Sequence, residues 1–161
     1  MAPPKVDLSK VKFNENVEVL LNGIAIDKTP AEHGIAHYKV KDKSHCSFAG
    51  ANMEFSVSVG TQNKIVASVY AETEKTASTN QVLKYLIATY HQPTSKITDD
   101  GDTRAYYWKT PQLFIRFMSG EVKSPTDGKQ ISSFVHIATL KALKDGVEPD
   151  LLRTYQFIQN N

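Results

Sequence analysis

Apolar positions along this 161-residue chain switch between a period of two and a period near four, and each switch marks an element. The cleanest alternation runs through 53–59, with Met53, Phe55, Val57 and Val59 on one side and Glu54, Ser56 and Ser58 on the other. Gly60-Thr61-Gln62-Asn63 is read as the turn that follows, and residues 64–72 return with Ile65, Ala67 and Val69 sharing a face. Two such runs joined by a short glycine-containing link predict a β-hairpin with one face on the core and a Ser/Thr/Glu-rich face in water. A weaker alternation in 35–41 makes Ala36, Tyr38 and Val40 the better core face. Residues 17–26 are apolar and β-leaning, with Gly23 marking a bulge or a close approach.

The period then lengthens. Ser78-Thr79-Asn80-Gln81 has the form of a capping box, and Val82, Tyr85, Leu86 and Thr89/Tyr90 recur at helical spacing until Pro93. A polar loop is expected over 95–103. Tyr106-Tyr107-Trp108 and the run 113–118 read as strands joined across Lys109-Thr110-Pro111-Gln112. A loop over 120–130, punctuated by Ser-Pro and Asp-Gly, leads to a strand at 134–140 and a turn at Lys144-Asp145-Gly146. Pro149 suits the first turn of a last helix, on which Leu151, Leu152, Tyr155 and Ile158 share a face.

Hairpins without βαβ alternation imply an α+β fold. The expectation is a mainly antiparallel sheet of about six to seven strands packed against one central helix, with a second, C-terminal helix. Residues 1–12, with two prolines and only Val6, Leu8 and Val11 as apolar anchors, read as an N-terminal arm, and 13–161 as a single domain. Val57, Ile65, Val69, Leu86, Ile115 and Ile137 are the expected core.

Composition narrows the partners. Hydrophobic residues make up 40% and charged residues 22%, the balance of a soluble globular chain. The net charge is +2, and the cations, mostly lysines, are scattered among acids, which argues against a nucleic-acid surface. No apolar run reaches the length of a transmembrane helix. Cys46 is the only cysteine, so no intrachain disulfide forms. A lone thiol slightly favours the cytoplasm over an exported chain whose signal lies outside this sequence.

No motif specifies a reaction. His33, His37, His45 and Cys46 are ligand or nucleophile types, but two strand residues four apart are separated by roughly 13 Å, too far for one ion. Cys46 has no helix N-terminus or cation to lower its pKa. Asp99-Asp100-Gly101-Asp102 lacks the order of an EF-hand loop, and the carboxylates Glu72 and Glu74, or Glu54 and Asp102, have no telling spacing. No cofactor or metal is expected. The surplus aromatics stand out: Tyr106 and Trp108 share one strand face and Tyr107 takes the other, so Tyr107 is expected to be exposed. Tyr106, Tyr107, Trp108, Phe114 and Arg116 are therefore the candidate binding residues. The function expected is a non-catalytic protein-interaction module of adaptor, chaperone-like or inhibitor/immunity type, its partner another protein or a second copy in a homodimer. The alternative is a small-molecule-binding protein or small-substrate enzyme, with a pocket between a curved sheet and the helix, into which His136, Arg116 and Tyr85 point. A hydrolase built on Cys46 and a histidine ranks last.

Overall fold

The computed structural model describes residues 5–99 and 103–160, which form eleven strands and four α-helices. In chain order these are β1 (Val6–Asp7), α1 (Val17–Leu20), β2 (Ile26–Lys28), β3 (Ile35–Val40), β4 (Cys46–Phe48), β5 (Ala51–Asn52), β6 (Ser56–Gln62) and β7 (Ile65–Thr73). They are followed by α2 (Thr76–Tyr90), β8 (Ser95–Asp99), β9 (Thr103–Lys109), β10 (Leu113–Ser124), β11 (Gly128–Thr139), α3 (Leu140–Lys144) and α4 (Pro149–Gln159). The fold is α+β. Its main sheet has eight strands in the order β2-β3-β6-β7-β11-β10-β9-β8, antiparallel throughout. A small sheet, β1-β4-β5, ties the N-terminal arm to the body through the parallel pair Val6↔Cys46. Among the described residues no helix is long and apolar enough to cross a membrane.

One face of the main sheet carries Tyr38, Val57, Val59, Val69, Ala71, Ile115, Phe117, Val135, Ile137, Tyr106 and Trp108, all buried. This face packs with Val82 and Leu86 of α2 and with Phe48 and Met53 of the small-sheet region in one continuous core. The opposite face is covered at one end by α3 and α4, where Leu143 and Leu151 join Ala105, Tyr107, Phe114 and Ala138 in a second core.

Several expected elements differ, each for a local reason. Residues 17–20 form a helical turn, not a strand. Asn16 caps it by accepting a 2.8 Å hydrogen bond from Glu18 N–H, and Val17, Leu21 and Ile24 are buried at i, i+4, i+7 while Val19 faces solvent. The central helix starts at Thr76, ahead of the expected capping box, and its N-terminus is satisfied from the sheet: Gln130 Oε1 accepts from Thr76 N–H at 3.1 Å. Residues 95–99 and 103–109 are paired strands rather than a polar loop, and 113–124 with 128–139 form one long hairpin through most of the expected 120–130 loop. The first hairpin turns at Asn63-Lys64, both at positive φ (52° and 68°), one step beyond the expected turn. Phe55 lies outside the strands and is exposed.

The most consequential difference is a β-bulge. Gly60 pairs with Ser68 and Thr61 with Val66, so Ala67 is an extra residue opposite β6. The alternation therefore slips by one. Val66 and Val69 both enter the main core, Ala67 packs with Ala142 and Val147 on the other side, and Ile65 is 39% exposed instead of buried.

The remaining expected core residues, Val57, Val69, Leu86, Ile115 and Ile137, are buried. Leu86→Ala and Ile115→Ala should each cost about 2–5 kcal/mol, because both side chains are fully enclosed and their removal leaves cavities. Ile65→Ala should cost less than about 1 kcal/mol. Chemical denaturation checks the order: an Ile65 loss as large as that of Leu86 would refute the bulge register.

Candidate functional site

The five aromatic and cationic residues singled out from the sequence are all buried, and the expectation of an exposed Tyr107 is overturned. Tyr106 and Trp108 do share a face, that of the main core, where Trp108 Nε1–H donates to the His91 carbonyl at 3.1 Å. Tyr107 takes the other face, as strand alternation requires, but α4 covers it. Its ring stacks on Phe114 at 6.1 Å, and Phe114 meets Tyr155 of α4 edge-on at 5.2 Å. Arg116 donates from Nη1 to Thr154 at 2.9 Å and pairs through Nη2 with Asp150 at 3.2 Å. Periodicity within a strand reports which residues share a face, not whether a later helix lands on it.

The histidine–cysteine group does not converge. His37 Nε2 meets Glu148, His45 Nε2 meets Asp42 at 3.2 Å, and Cys46 is buried in the main core. Burial, and then the charge of Asp42, push the Cys46 thiol up to about 11, so it carries no thiolate near neutral pH. Glu54 accepts hydrogen bonds from Thr73 Oγ1 and Glu74 N–H at the start of the β7–α2 link. The acidic run at 99–102 lies partly outside the described residues.

Sequence reading missed a polar cluster on the α3–α4 face. Glu148, the residue before α4, does not cap its own helix; its carboxylate turns to the sheet. Oε1 lies 3.0 Å from His37 Nε2 and accepts from Ser68 Oγ at 2.5 Å, while Oε2 lies 3.4 Å from His136 Nε2. The sheet register assembles these partners: His37 pairs with Gly60 and Gly60 with Ser68, while His136 comes from β11 beside β7. Ser68 faces Glu148 by ordinary alternation, opposite the core-facing Val69. Gly60 leaves the space, since a Cβ there would lie 2.6 Å from Glu148 Oε1 and nearer still to Ser68 Oγ. His136 Nδ1 is buried without a partner among the described residues.

Burial raises the Glu148 pKa, but hydrogen bonds from His136, His37 and Ser68 outweigh it and hold the carboxyl well below its ordinary value. The hydrogen bond to Glu148 raises His37 above its ordinary value. Both imidazoles point Nε2 at a carboxylate oxygen, leaving no convergent lone pairs for an ion. Among the described residues no group of three or more His, Cys, Asp or Glu is arranged to hold a metal. Ser68 donates to the Glu148 carboxylate, whose lowered pKa makes it a poor base for activating the hydroxyl. The cluster fastens α4 to the sheet.

The second feature is a groove of about 850 Å³ at the end of the sheet where β7 outruns β11. Here the backbone of 15–17 pairs with 64–66 instead: Val66 N–H donates to the Glu15 carbonyl at 2.8 Å and Val17 N–H to the Lys64 carbonyl at 2.9 Å. Phe13, Ile65, Leu113 and Leu140 supply apolar walls, and Asn14, Asn63, Gln62 and Gln112 supply amides. Between the sheet and α2 lies the main core, to which α2 contributes Val82 and Leu86. Comparison with protein-family models, with curated proteins and with solved structures finds no match.

Two outcomes follow from this chemistry. Cys46 should resist labelling by a thiol reagent near neutral pH while the protein is folded; rapid stoichiometric labelling of the native protein would refute this. Glu148 stabilises the fold fully above its ordinary value of 4.5 and loses that contribution as pH falls through its lower folded value. His37 contributes below 6.5 and loses its share as pH rises through its higher folded value. The cluster is thus strongest between these two pH values. Glu148→Gln should cost about 1–3 kcal/mol there and flatten the pH dependence of the thermal midpoint. Parallel wild-type and variant profiles in calorimetry would overturn this reading.

Proposed function

We propose that this protein is a non-catalytic binding protein whose ligand is a small molecule held in the groove beside Phe13, Ile65, Leu113 and Leu140. The observation that carries this reading is the groove itself. Its volume of about 850 Å³ falls within the usual span of small-molecule sites, and it joins apolar walls to a few amides, the combination that gives affinity and orientation together. Ile65 supports the reading further, since the bulge leaves this large apolar side chain 39% exposed at the groove rather than in the core.

The interaction-module expectation loses its surface with the burial of the aromatic hairpin. The other exposed large apolar residues, Val19, Phe55, Ile87 and Phe157, are spread over α1, the β5–β6 link, α2 and α4, and single exposed apolar residues are common on monomers. Catalysis has little to draw on: Cys46 is buried and protonated, and Glu148 is engaged by three side chains.

The neutral fluorescent probe N-phenyl-1-naphthylamine tests the site. It should bind saturably with a blue-shifted emission. Ile65→Asp should weaken it at least about tenfold, since apolar contact is lost and a charge is introduced. Val19→Asp, at a site 76% exposed and away from the groove, should leave it unchanged. Absence of saturable binding, or equal losses in the two variants at equal thermal midpoints, would reject the groove as the site.

A further inference from the structure

Charge around the groove is one-sided. Lys12 and Lys141 line it, and no Asp or Glu does, in a chain whose cations and anions are otherwise nearly balanced at nineteen to seventeen. Of the neighbouring carboxylates, Glu18 pairs with Lys64 at 3.1 Å, and Asp145 accepts from both Lys141 Nζ at 2.8 Å and Gln62 Nε2 at 2.7 Å. Asp145 holds Lys141 in place but does not itself line the groove. Lys12 makes no ion pair among the described residues, and the side-chain amides of Asn14 and Gln112 make no hydrogen bond there. One free cation, one anchored cation and two unengaged amides thus adjoin an apolar surface, and an amide N–H₂ and a lysine ammonium are both donors to an anionic oxygen.

Resting on the groove as the binding site, we infer that its ligand is a small amphipathic anion: an apolar body over Ile65 and Leu140, and a carboxylate or equivalent acidic head that Lys12 and Lys141 engage. The apolar surface supplies affinity and the lysines select the sign of the head group. Because both lysines are exposed, their attraction is screened by salt. A neutral molecule of the same shape fits the walls but leaves the Lys12 ammonium without a partner. A cationic one is repelled.

A matched pair of probes separates this inference from the reading beneath it. 1-Anilinonaphthalene-8-sulfonate and N-phenyl-1-naphthylamine share an aromatic framework and differ by the sulfonate. The anionic probe should bind more tightly at low salt and lose that advantage as salt is raised. Lys12→Gln should weaken the anionic probe about three- to fivefold, and Lys12→Gln with Lys141→Gln about tenfold, with the neutral probe changed less than about twofold. Lys123→Gln, on the distant β10–β11 hairpin, should change neither. Decanoate should displace the anionic probe at a lower concentration than decanol, and hexaglutamate should not displace it. If the neutral probe binds and responds to Ile65→Asp, but the anionic probe gains nothing from the lysines, the groove stands and the anion is rejected. Displacement by hexaglutamate would replace the small ligand with an acidic peptide and overturn the inference. If neither probe binds, the groove reading fails, and this inference with it.

Discussion

The bulge at Ala67 sets the relation between the two faces of the main sheet. A strand of strict alternation would carry Ile65, Ala67 and Val69 into the same layer. The extra residue opposite β6 breaks that sequence between Val66 and Val69, so both reach the main core while Ala67 and Ser68 turn together to the α3–α4 side. Each consequence is local. Ala67 is small enough for Ala142 and Val147 to pack against it beside Ser68, and Ile65 is left at the groove. A single inserted residue thereby positions both the Ala67 contact with Ala142 and Val147 and an apolar wall of the candidate site.

Glu148 turns that geometry into helix placement. A carboxylate withdrawn from water is costly unless its oxygens are engaged, and Ser68, His37 and His136 engage both of them. Gly60 is the silent partner, since any larger residue would occupy the carboxylate's space. With the start of α4 fixed there, Leu151 and Tyr155 fall on Phe114, and Asp150 and Thr154 reach Arg116. The polar cluster contributes position more than free energy. The apolar second core beneath α4 contributes the free energy.

Where the sequence is legible, it is because one element suffices to define the answer. The inward faces of 36–40, the pair Val57 and Val59, the helical spacing of Val82 and Leu86 and the shared face of Tyr106 and Trp108 all hold in the structure. Reading fails where a second element decides. Nothing in residues 64–72 marks Ala67 as surplus; only its register against β6 does. The Thr76 start is satisfied by Gln130 and Thr79 reaches the Ile131 carbonyl, partners more than fifty residues away that no local capping pattern reports. Glu148 lies 111 residues from His37, and only the strand order brings them together. One overlooked signal was local: Val17, Leu21 and Ile24 are spaced for a helical turn, and Asn16 stands before them as a cap.

The groove and the cluster meet in α3, and this bears on how a ligand would be held. The five-residue helix is fixed at its start by Thr139, whose side chain accepts from Ala142 N–H at 3.0 Å, and by Leu140 N–H donating to the Gln112 carbonyl at 2.9 Å. It is fixed beyond its end by buried Val147 and by Glu148 on the sheet. Leu140 and Lys141, which line the groove, therefore sit on a segment restrained from both sides. The opposite wall, Lys12, Phe13 and Asn14, runs directly into residues 15–17, which are hydrogen-bonded to the projecting end of β7. A ligand entering such a groove does not have to order its walls, so the free energy of apolar contact goes into affinity rather than into conformational restraint. Lys141 is held by Asp145, whereas exposed Lys12 would lose side-chain freedom on engaging an anion, so its contribution to binding would be small and its effect would fall on which head group is accepted.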